Sequence, residues 1–356
     1  MTFEELGGWR AILSTLTESR DLTGVQARAA MGQILRGEAT AAQIAAFIIA
    51  LRMKGETVEE MSGLVDAMLA AAAPIELPFD ARDAIDIVGT GGAPSRRAHA
   101  LNVSTMACFV AAGAGVKVCK HGNRKASSTS GSFDLLEALG VPLELDGPAV
   151  AECVAQAGIG FCFARAFHPA MRFAGPVRAE LGVPTVFNFL GPLSNPARVQ
   201  RQVIGVSDAG MAPTVVGVLQ ARGAPRAVVV HGHDGMDELT TTGPSTVHEL
   251  ADGSVRTYEL DPADLGLTVV SADEVKGGDP ATNAALARRV FAGESGPYRD
   301  IVVLNAAAGL WVAGRVDDLG AGIALAQASI DQGHAQTALD ALIAASTDVA
   351  GTPADS

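Results

Sequence analysis

The sequence predicts an α/β protein in which a small all-helical N-terminal domain precedes a large α/β domain with a mainly parallel central sheet. Three observations lead to this fold class. Only helical patterns occur up to residue 73, short β-branched segments alternate with helical segments after Pro78, and 356 residues suffice for two domains. We place the helical domain at residues 1–74 with a contribution from about 168–190, the α/β domain at 79–346, and a frayed tail at 347–356.

The N-terminal helices are predicted from capping signals and apolar spacing. Thr40 with Gln43, and Thr57 with Glu60, have the spacing of a capping box, in which two side chains satisfy two backbone amides at a helix start. The apolar residues that follow recur at helical spacing; they are Ile44, Phe47, Ile48, Leu51, Met61, Leu64, Val65 and Met68. These helices form either a small packed domain alone or one that also pairs with a second subunit.

The alternation after Pro78 predicts βαβ units. The predicted strands are 85–88, 116–119, 141–145, 159–163, 202–206 and 227–231, and the predicted helices are 105–112, 133–139, 148–157 and 211–222. Segments 246–250 and 255–260 flank a short polar turn and predict a hairpin at the far end of the sheet. The last 50 residues predict helices at 301–313, 319–332 and 335–345.

Composition excludes several classes of protein. The net charge of −13 and the 4% aromatic content argue against a binder of nucleic acid, which needs a basic face or a stacking platform. No signal peptide and no apolar stretch of membrane-spanning length is present, so we expect a cytoplasmic protein without membrane contact. The four cysteines form no CxxC pair and are predicted to be reduced core residues; they are Cys108, Cys119, Cys153 and Cys162.

Two segments at predicted strand ends have the chemistry of an anion site. Gly89, Thr90, Gly91 and Gly92 follow the first strand, and the next helix begins near Asn102, Ser104 and Thr105, where free amides favour phosphate. A glycine-rich turn by itself is weak support for this reading. The second segment, 120–132, brings three cations, four serines and two glycines into an otherwise acidic chain, and we read it as a phosphate-binding loop rather than a solvated surface.

Two further features predict a metal and an acceptor site. Asp237 and Glu238 follow the strand at 227–231, and carboxylates beside a phosphate pocket make sense with Mg²⁺ between them, Ser104 adding a third oxygen. The alternative for this pair is a solvated acidic turn. Arg178, on an otherwise apolar segment, is either a helix-surface cation or a clamp for a carboxylate.

Taken in order, the motifs resemble those of the anthranilate phosphoribosyltransferases, a family similar in fold to the pyrimidine nucleoside phosphorylases. They are Gly-Thr-Gly-Gly, Asn-x-Ser-Thr, Lys-His-Gly-Asn-Arg-x-x-Ser-Ser, Pro-Val-Arg-x-Glu-Leu-Gly, Gly-Pro-Leu-x-Asn-Pro and Asp-Glu, spread over residues 10 to 345. The resemblance implies a homodimer formed through the helical domain, a step of tryptophan biosynthesis, and phosphoribosyl pyrophosphate, Mg²⁺ and anthranilate as ligands.

The resemblance also implies roles for individual residues. Those implied to bind phosphoribosyl pyrophosphate are Gly89, Gly92, Asn102, Ser104, Thr105, Lys120, Gly122, Asn123, Arg124, Ser127, Ser128 and Ser132. Those implied to contact anthranilate are Gly89, His121, Asn123 and Arg178, with Arg178 on the carboxylate, and those implied to hold Mg²⁺ are Ser104, Asp237 and Glu238. We expect Lys120 to take up charge on the leaving pyrophosphate and His121 to orient the acceptor, because a neutral aryl amine needs no strong base.

The chain departs from the family pattern in one loop. Ala93 stands where the family has Asp, the loop to Asn102 is three residues longer, and Ala100 replaces a threonine. Each lost charge-assisted hydrogen bond is expected to weaken substrate binding by about 1–3 kcal/mol, unless Arg96, Arg97 or His99 replaces it. Two alternatives therefore stay open: a related transferase for another aromatic amine or heterocycle, and a non-catalytic nucleotide-binding relative.

Overall fold

A computed structural model describes residues 2–91, 100–124 and 129–351 of the chain. Four residues named above, Gly92, Ala93, Ser127 and Ser128, therefore lie outside the described residues, as do Arg96, Arg97, His99 and residues 352–356 of the predicted tail. Within the described ranges no helix is long and apolar enough to cross a membrane. All four cysteines are buried free thiols, as predicted.

Four helices open the chain: α1 (Gly8–Thr17), α2 (Gly24–Leu35), α3 (Ala41–Lys54) and α4 (Val58–Ala71). Both predicted capping boxes are present, at Thr40 and Thr57, and Thr23 forms a third. Glu60 is fully buried because its carboxylate is shared by the α4 cap, the Leu22 amide and the Lys54 ammonium. The apolar stripes predicted for α3 and α4 are buried.

Seven strands form one sheet in the order β3-β2-β1-β4-β5-β6-β7. The strands are β1 (Ala84–Gly89), β2 (Lys117–Gly122), β3 (Ile159–Phe163), β4 (Arg201–Gly205), β5 (Arg226–Gly232), β6 (Ser245–Ala251) and β7 (Ser254–Leu260). The first five are parallel, and β6 and β7 form the predicted antiparallel hairpin at the far edge. The predicted fold class is confirmed.

Helices cover both faces of this sheet. The remaining helices are α5 (Val103–Gly113), α6 (Ser132–Leu139), α7 (Gly147–Ala157), α8 (Ala164–Phe167), α9 (Gly175–Leu181), α10 (Phe187–Leu193), α11 (Ala212–Ala221), α12 (Pro280–Phe291), α13 (Pro297–Val312), α14 (Leu319–Asp331) and α15 (His334–Ala350). Alternate residues of β5 point to opposite faces: Val228 and Val230 join the core with α5 and α13, and Ala227 and Val229 join the core with the N-terminal helices. The second core also contains Ala174 and Phe187, from the segment predicted to contribute to the helical domain.

Three local predictions were wrong. Residues 141–145 form no strand, because they only connect the left-handed cap of α6 at Gly140 to the Asp146 cap of α7, and Pro142 lacks an amide for a sheet. Strand β2 continues through Gly122, so Lys120 and His121 lie in the sheet and not in the loop. The last helix continues to Ala350, so residues 347–350 are helical.

Candidate active site

One cleft of about 1000 Å³ lies at the carboxyl ends of the parallel strands. Strand β1 is flanked by β2 on one side and β4 on the other, so the chain order reverses there, which is where open α/β sheets bind ligands. The cleft brings together the described residues predicted for the site: Gly89, Asn102, Ser104, Thr105, Lys120, His121, Gly122, Asn123, Arg124, Ser132, Arg178, Asp237 and Glu238. Met68 of α4 also lines it, so the helical domain contributes one wall.

The glycine turn after β1 is shaped around Asp237. The Gly91 amide donates a 2.6 Å hydrogen bond to the Asp237 Oδ2 atom. A Cβ on Gly89 would overlap this carboxylate, and a Cβ on Gly205 of β4 would overlap the Asp237 carbonyl group. Both strand ends therefore require glycine because the Asp237 segment packs directly onto them.

The segment with Asp237 and Glu238 leaves β5 through a tightly braced turn. Asp234 accepts hydrogen bonds from the Met236 amide and from the hydroxyls of Thr240 and Thr242. The Gly232 amide donates to the Met236 carbonyl. The two carboxylates that follow are half-buried at the cleft, and their hard oxygen donors, with the Ser104 hydroxyl on the same cleft, suit Mg²⁺.

The start of α5 carries one polar side chain that is hydrogen-bonded within the protein and one that is not. The Asn102 amide group is held inside the protein, where it donates to the Ser130 carbonyl and accepts from the Ser130 hydroxyl and the Asn283 amide. The Thr105 hydroxyl is buried and has no hydrogen-bond partner among the described residues. Since a buried hydroxyl is costly without a partner, Thr105 is a candidate ligand contact at this helix start.

Lys120 lies in a different environment from the one predicted for it. Its side chain is buried, and its Nζ atom donates a 2.5 Å hydrogen bond to the Ile87 carbonyl of β1. The buried Asp86 of β1 accepts from the Asn195 side chain, and burial raises the pKa of Asp86 to about 6 against the opposing effect of the Lys120 charge. Lys120 therefore brings a desolvated ammonium to the floor of the cleft.

Two buried histidines lie side by side at the cleft. The rings of His121 and His168 are 5.0 Å apart, and burial lowers the pKa of His121 to about 3 and that of His168 to about 4. Both imidazoles are neutral at pH 7. His121 Nδ1 lies 2.9 Å from the Gly191 carbonyl, which assigns its proton to Nδ1, and the Nε2 atoms of both rings have no partner in the described parts of the chain.

The described residues on either side of the gap at 125–128 in the predicted phosphate loop have partners within the protein. The Arg124 guanidinium pairs with Asp134 and Glu137 of α6 rather than pointing into the cleft. The Ser132 hydroxyl donates to the Asn123 carbonyl, and Gly122 lies so close to Ser132 that a side chain would not fit. The sequence predicted the position of this loop but not the internal partners of its side chains.

Arg178 lines the cleft beside an aromatic ring. It is half-buried on α9, and its guanidinium lies 5.1 Å from the centre of the Phe187 ring. Burial lowers its pKa, and no carboxylate pairs with it among residues 2–91, 100–124 and 129–351. A desolvated guanidinium without a carboxylate is suited to bind one from a ligand.

Three residues that shape the cleft were not predicted from the sequence: Asp86, His168 and Asn283. His168 could have been found, since it lies beyond the carboxyl end of β3, as the glycine turn lies beyond that of β1. Asp86 and Asn283 carry no such signal because they act from the interior, on Lys120 and Asn102 respectively.

Comparisons with known proteins agree with this arrangement. A model of the glycosyl transferase family, a/b domain, matches residues 81–336, and one of its helical bundle domain matches residues 10–72. Anthranilate phosphoribosyltransferases from Rhodococcus jostii and Salinispora arenicola are 54% and 52% identical, each over 93% of this chain and over 91% and 95% of their own lengths.

Two solved structures are also similar. Anthranilate phosphoribosyltransferase from Thermus thermophilus has a TM-score of 0.88 and 42% identity, covering 94% of this chain and 99% of its own. The enzyme from Saccharomyces cerevisiae, in complex with PRPP (phosphoribosyl pyrophosphate) and Mg, has a TM-score of 0.85 and 27% identity, covering 96% and 98%. The chain therefore belongs to the anthranilate phosphoribosyltransferase family.

Proposed function

We propose that this chain transfers the phosphoribosyl group of phosphoribosyl pyrophosphate to the amine of anthranilate and releases pyrophosphate, a step of tryptophan biosynthesis. The observation that carries the proposal is the composition of one cleft. One side offers carboxylates, the buried Thr105 hydroxyl and a buried ammonium, and the other offers a half-buried guanidinium and two neutral imidazoles. These are complementary to a sugar diphosphate with its metal and to an aromatic amino acid with a free carboxylate.

The diphosphate side is assigned to the glycine turn, the start of α5, Lys120 and the segment 122–132 that follows β2. Asp237 and Glu238, with Ser104, are the residues that would hold Mg²⁺, whose positive charge offsets negative charge on the pyrophosphate. Lys120 and the backbone amides stabilise the same charge from the protein side. Arg124 reaches the phosphates only by leaving its ion pairs with Asp134 and Glu137.

The reaction needs positioning more than proton chemistry. The bond between the anomeric carbon and the pyrophosphate oxygen breaks with its electron pair on the oxygen, and the amine lone pair forms the new carbon–nitrogen bond. The nitrogen then loses one proton to solvent water. Because an aryl amine is already neutral near pH 7, the catalytic contribution lies in alignment and charge stabilisation.

The acceptor side is assigned to Arg178, His121 and His168. Arg178 binds the anthranilate carboxylate. The Nε2 lone pair of a neutral imidazole accepts a hydrogen bond from the amine, which orients its nitrogen lone pair toward the sugar. A protonated imidazole would donate instead, so the low pKa of both histidines supports this role.

Two related predictions are proposals of the same kind. We propose that the chain forms a homodimer through the helical domain, where Val25 of α2 and Met53 of α3 are exposed apolar side chains. Sedimentation velocity of the purified chain tests it, and a monomer at micromolar concentration would contradict it. The cytoplasmic location stays a prediction.

Turnover with a panel of aryl amines tests the proposed activity. Phosphoribosyl pyrophosphate and Mg²⁺ are supplied with anthranilate or with amines that lack the carboxylate, and the product is identified by mass spectrometry. We expect product with anthranilate. Turnover only with another amine would assign the chain to a different acceptor, and no turnover with any amine would indicate a non-catalytic relative.

Arg178→Ala tests the acceptor assignment. Loss of a charge-assisted pair worth about 1.5–3 kcal/mol is expected to lower kcat/KM for anthranilate by roughly ten- to a hundredfold, with the KM for phosphoribosyl pyrophosphate unchanged. Arg256→Ala is the matched control, because Arg256 also lies over an aromatic ring, Tyr258, but on the remote β7 strand. An equal rise in KM for both substrates in Arg178→Ala would contradict the assignment.

A further inference from the structure

Asn305 is a buried amide in the middle of an apolar helix. It lies on α13, where every residue from Ile301 to Val312 is buried, and its own exposed fraction is 2%. A side-chain amide in such surroundings is unfavourable unless both its ends are hydrogen-bonded. The partners that Asn305 uses therefore indicate what it does.

Asn305 is paired with the backbone of a single loop residue. Its Oδ1 atom accepts from the Leu239 amide at 3.1 Å, and its Nδ2 atom donates to the Leu239 carbonyl at 2.8 Å. The Nδ2 atom also donates to the Ile301 carbonyl of its own helix at 2.9 Å. Two opposed hydrogen bonds to one residue fix both its position and its orientation.

Leu239 directly follows the two carboxylates assigned to the metal. On their other side, Met236 is held by Gly232 and Asp234. The pair Asp237-Glu238 thus spans two backbone positions that are each tied to the protein. The hydrogen bonds from Asn305 come from outside the loop. In the described part of the chain, the Leu239 amide and carbonyl groups have no other backbone or side-chain partner.

Helix α13, which carries Asn305, is packed against β1 and α5. One turn beyond Asn305, Gly309 packs against Ile85 and Ile87 of β1 so closely that a Cβ there would lie 2.6 Å from the Ile87 side chain. The same helix packs along α5, which carries Ser104. Asn305 therefore sets the acidic segment relative to β1 and α5, the elements that carry the glycine turn and the third oxygen donor.

We propose that Asn305 is a positioning residue for Asp237 and Glu238, acting through the Leu239 backbone. The inference rests on the proposed metal site. It makes metal binding depend on a residue that does not touch the metal. Octahedral Mg²⁺ tolerates little change in the distances to its ligands, so loosening Leu239 should weaken the site without unfolding the protein.

The test is a titration with Mn²⁺, in place of Mg²⁺, in the presence of phosphoribosyl pyrophosphate and without anthranilate. Free Mn²⁺ is measured by electron paramagnetic resonance, so the readout does not require turnover. We expect Asn305→Leu to weaken Mn²⁺ binding about tenfold, and Asn305→Ser, which keeps one polar group but cannot span both Leu239 groups, to weaken it as well. Thermal melting shows whether each variant is folded, and Asn305→Ser serves alone if Asn305→Leu does not fold.

Two further variants separate the possible results. Leu339→Ala removes a fully buried side chain of α15 and controls for general loss of stability; it is expected to bind Mn²⁺ like the unaltered chain. Asp237→Asn tests the metal site itself. If Asp237→Asn weakens Mn²⁺ binding and the folded Asn305 variants do not, the positioning role is overturned while the site stands. If Asp237→Asn has no effect, the proposed metal site fails, and this inference with it.

Discussion

The two buried histidines make the stability of this protein depend on pH in a defined direction. Burial and the neighbouring His168 lower the pKa of His121 to about 3, and burial lowers that of His168 to about 4. In the unfolded chain both titrate at about 6.5. Between these values the unfolded state binds more protons than the folded state. The stabilising contribution is therefore complete above about pH 6.5 and is lost as the pH falls toward the folded-state values.

The size of the effect follows from the pKa differences. At pH 4.5, about two units below the unfolded value, each histidine lowers the free energy of unfolding by roughly 2–3 kcal/mol, or about 5 kcal/mol for the pair. The double variant His121→Asn, His168→Asn removes both titrations. The asparagine amide group lies near the place of Nδ1, so the donor to the Gly191 carbonyl is kept. We expect the loss of stability between pH 7.5 and 4.5 to be about 5 kcal/mol smaller in the double variant.

Urea unfolding, followed by circular dichroism at both pH values, measures this difference. Leu190→Ala is the control, because Leu190 is a fully buried neighbour on α10 whose truncation costs about 2–5 kcal/mol at either pH. Leu190→Ala should lower the free energy of unfolding by the same amount at both pH values, so the difference between pH 7.5 and pH 4.5 stays unchanged. If the double variant loses as much stability between pH 7.5 and 4.5 as the unaltered chain, the imidazoles are not held neutral. The acceptor role of their Nε2 atoms then fails too.

Gly205 and Asn283 give two further predictions. Gly205→Ala would place a Cβ 3.1 Å from the Asp237 Cα and inside its carbonyl group, so we expect a folded variant with kcat reduced about a hundredfold or more in steady-state assays. Gly243→Ala is the control, because Gly243 lies in the β5–β6 loop with Asp237 and a Cβ there would have no atom within 4 Å. It should stay near full activity, and equal losses in the two variants would contradict the prediction. Asn283→Leu removes the hydrogen bonds to Asn102 and to the Ala100 carbonyl. We expect the free energy of unfolding to fall by about 1–3 kcal/mol and the KM for phosphoribosyl pyrophosphate to rise. An unchanged KM would contradict this prediction.

The features that could be predicted from the sequence are those that depend on residues close together in the chain. The capping boxes at Thr40 and Thr57 and the positions of the parallel strands follow from spacing that a few residues determine. Strand ends meet at one edge of a parallel sheet, so the order of the strands alone was enough to place the glycine turn and the acidic pair together. Segment 141–145 shows where such prediction fails: its alternating apolar residues are typical of a strand, but the same pattern also occurs in a connection between two helices.

What could not be predicted was the choice of partners. Arg124 was expected to face phosphate, but Asp134 and Glu137 lie one and two turns along the adjacent helix and pair with it. Lys120 was placed in a loop, but β2 continues through Gly122 and brings its ammonium onto the Ile87 carbonyl. Each of these partners lies on another element, 10 to 33 residues away, which is beyond the range of a local sequence pattern.

The asparagines on the C-terminal helices show why these distant partners matter most at the cleft. Asn283 holds the Ala100 carbonyl and the Asn102 side chain, while Asn305 holds the Leu239 backbone. An apolar residue at either place would pack into its helix equally well, but the loop groups it faces would then lack partners in a buried setting. The two amides thus join loops that line the cleft to helices that do not line it. Helices α12 and α13, which the motifs leave unassigned, therefore contribute to the position of these loops.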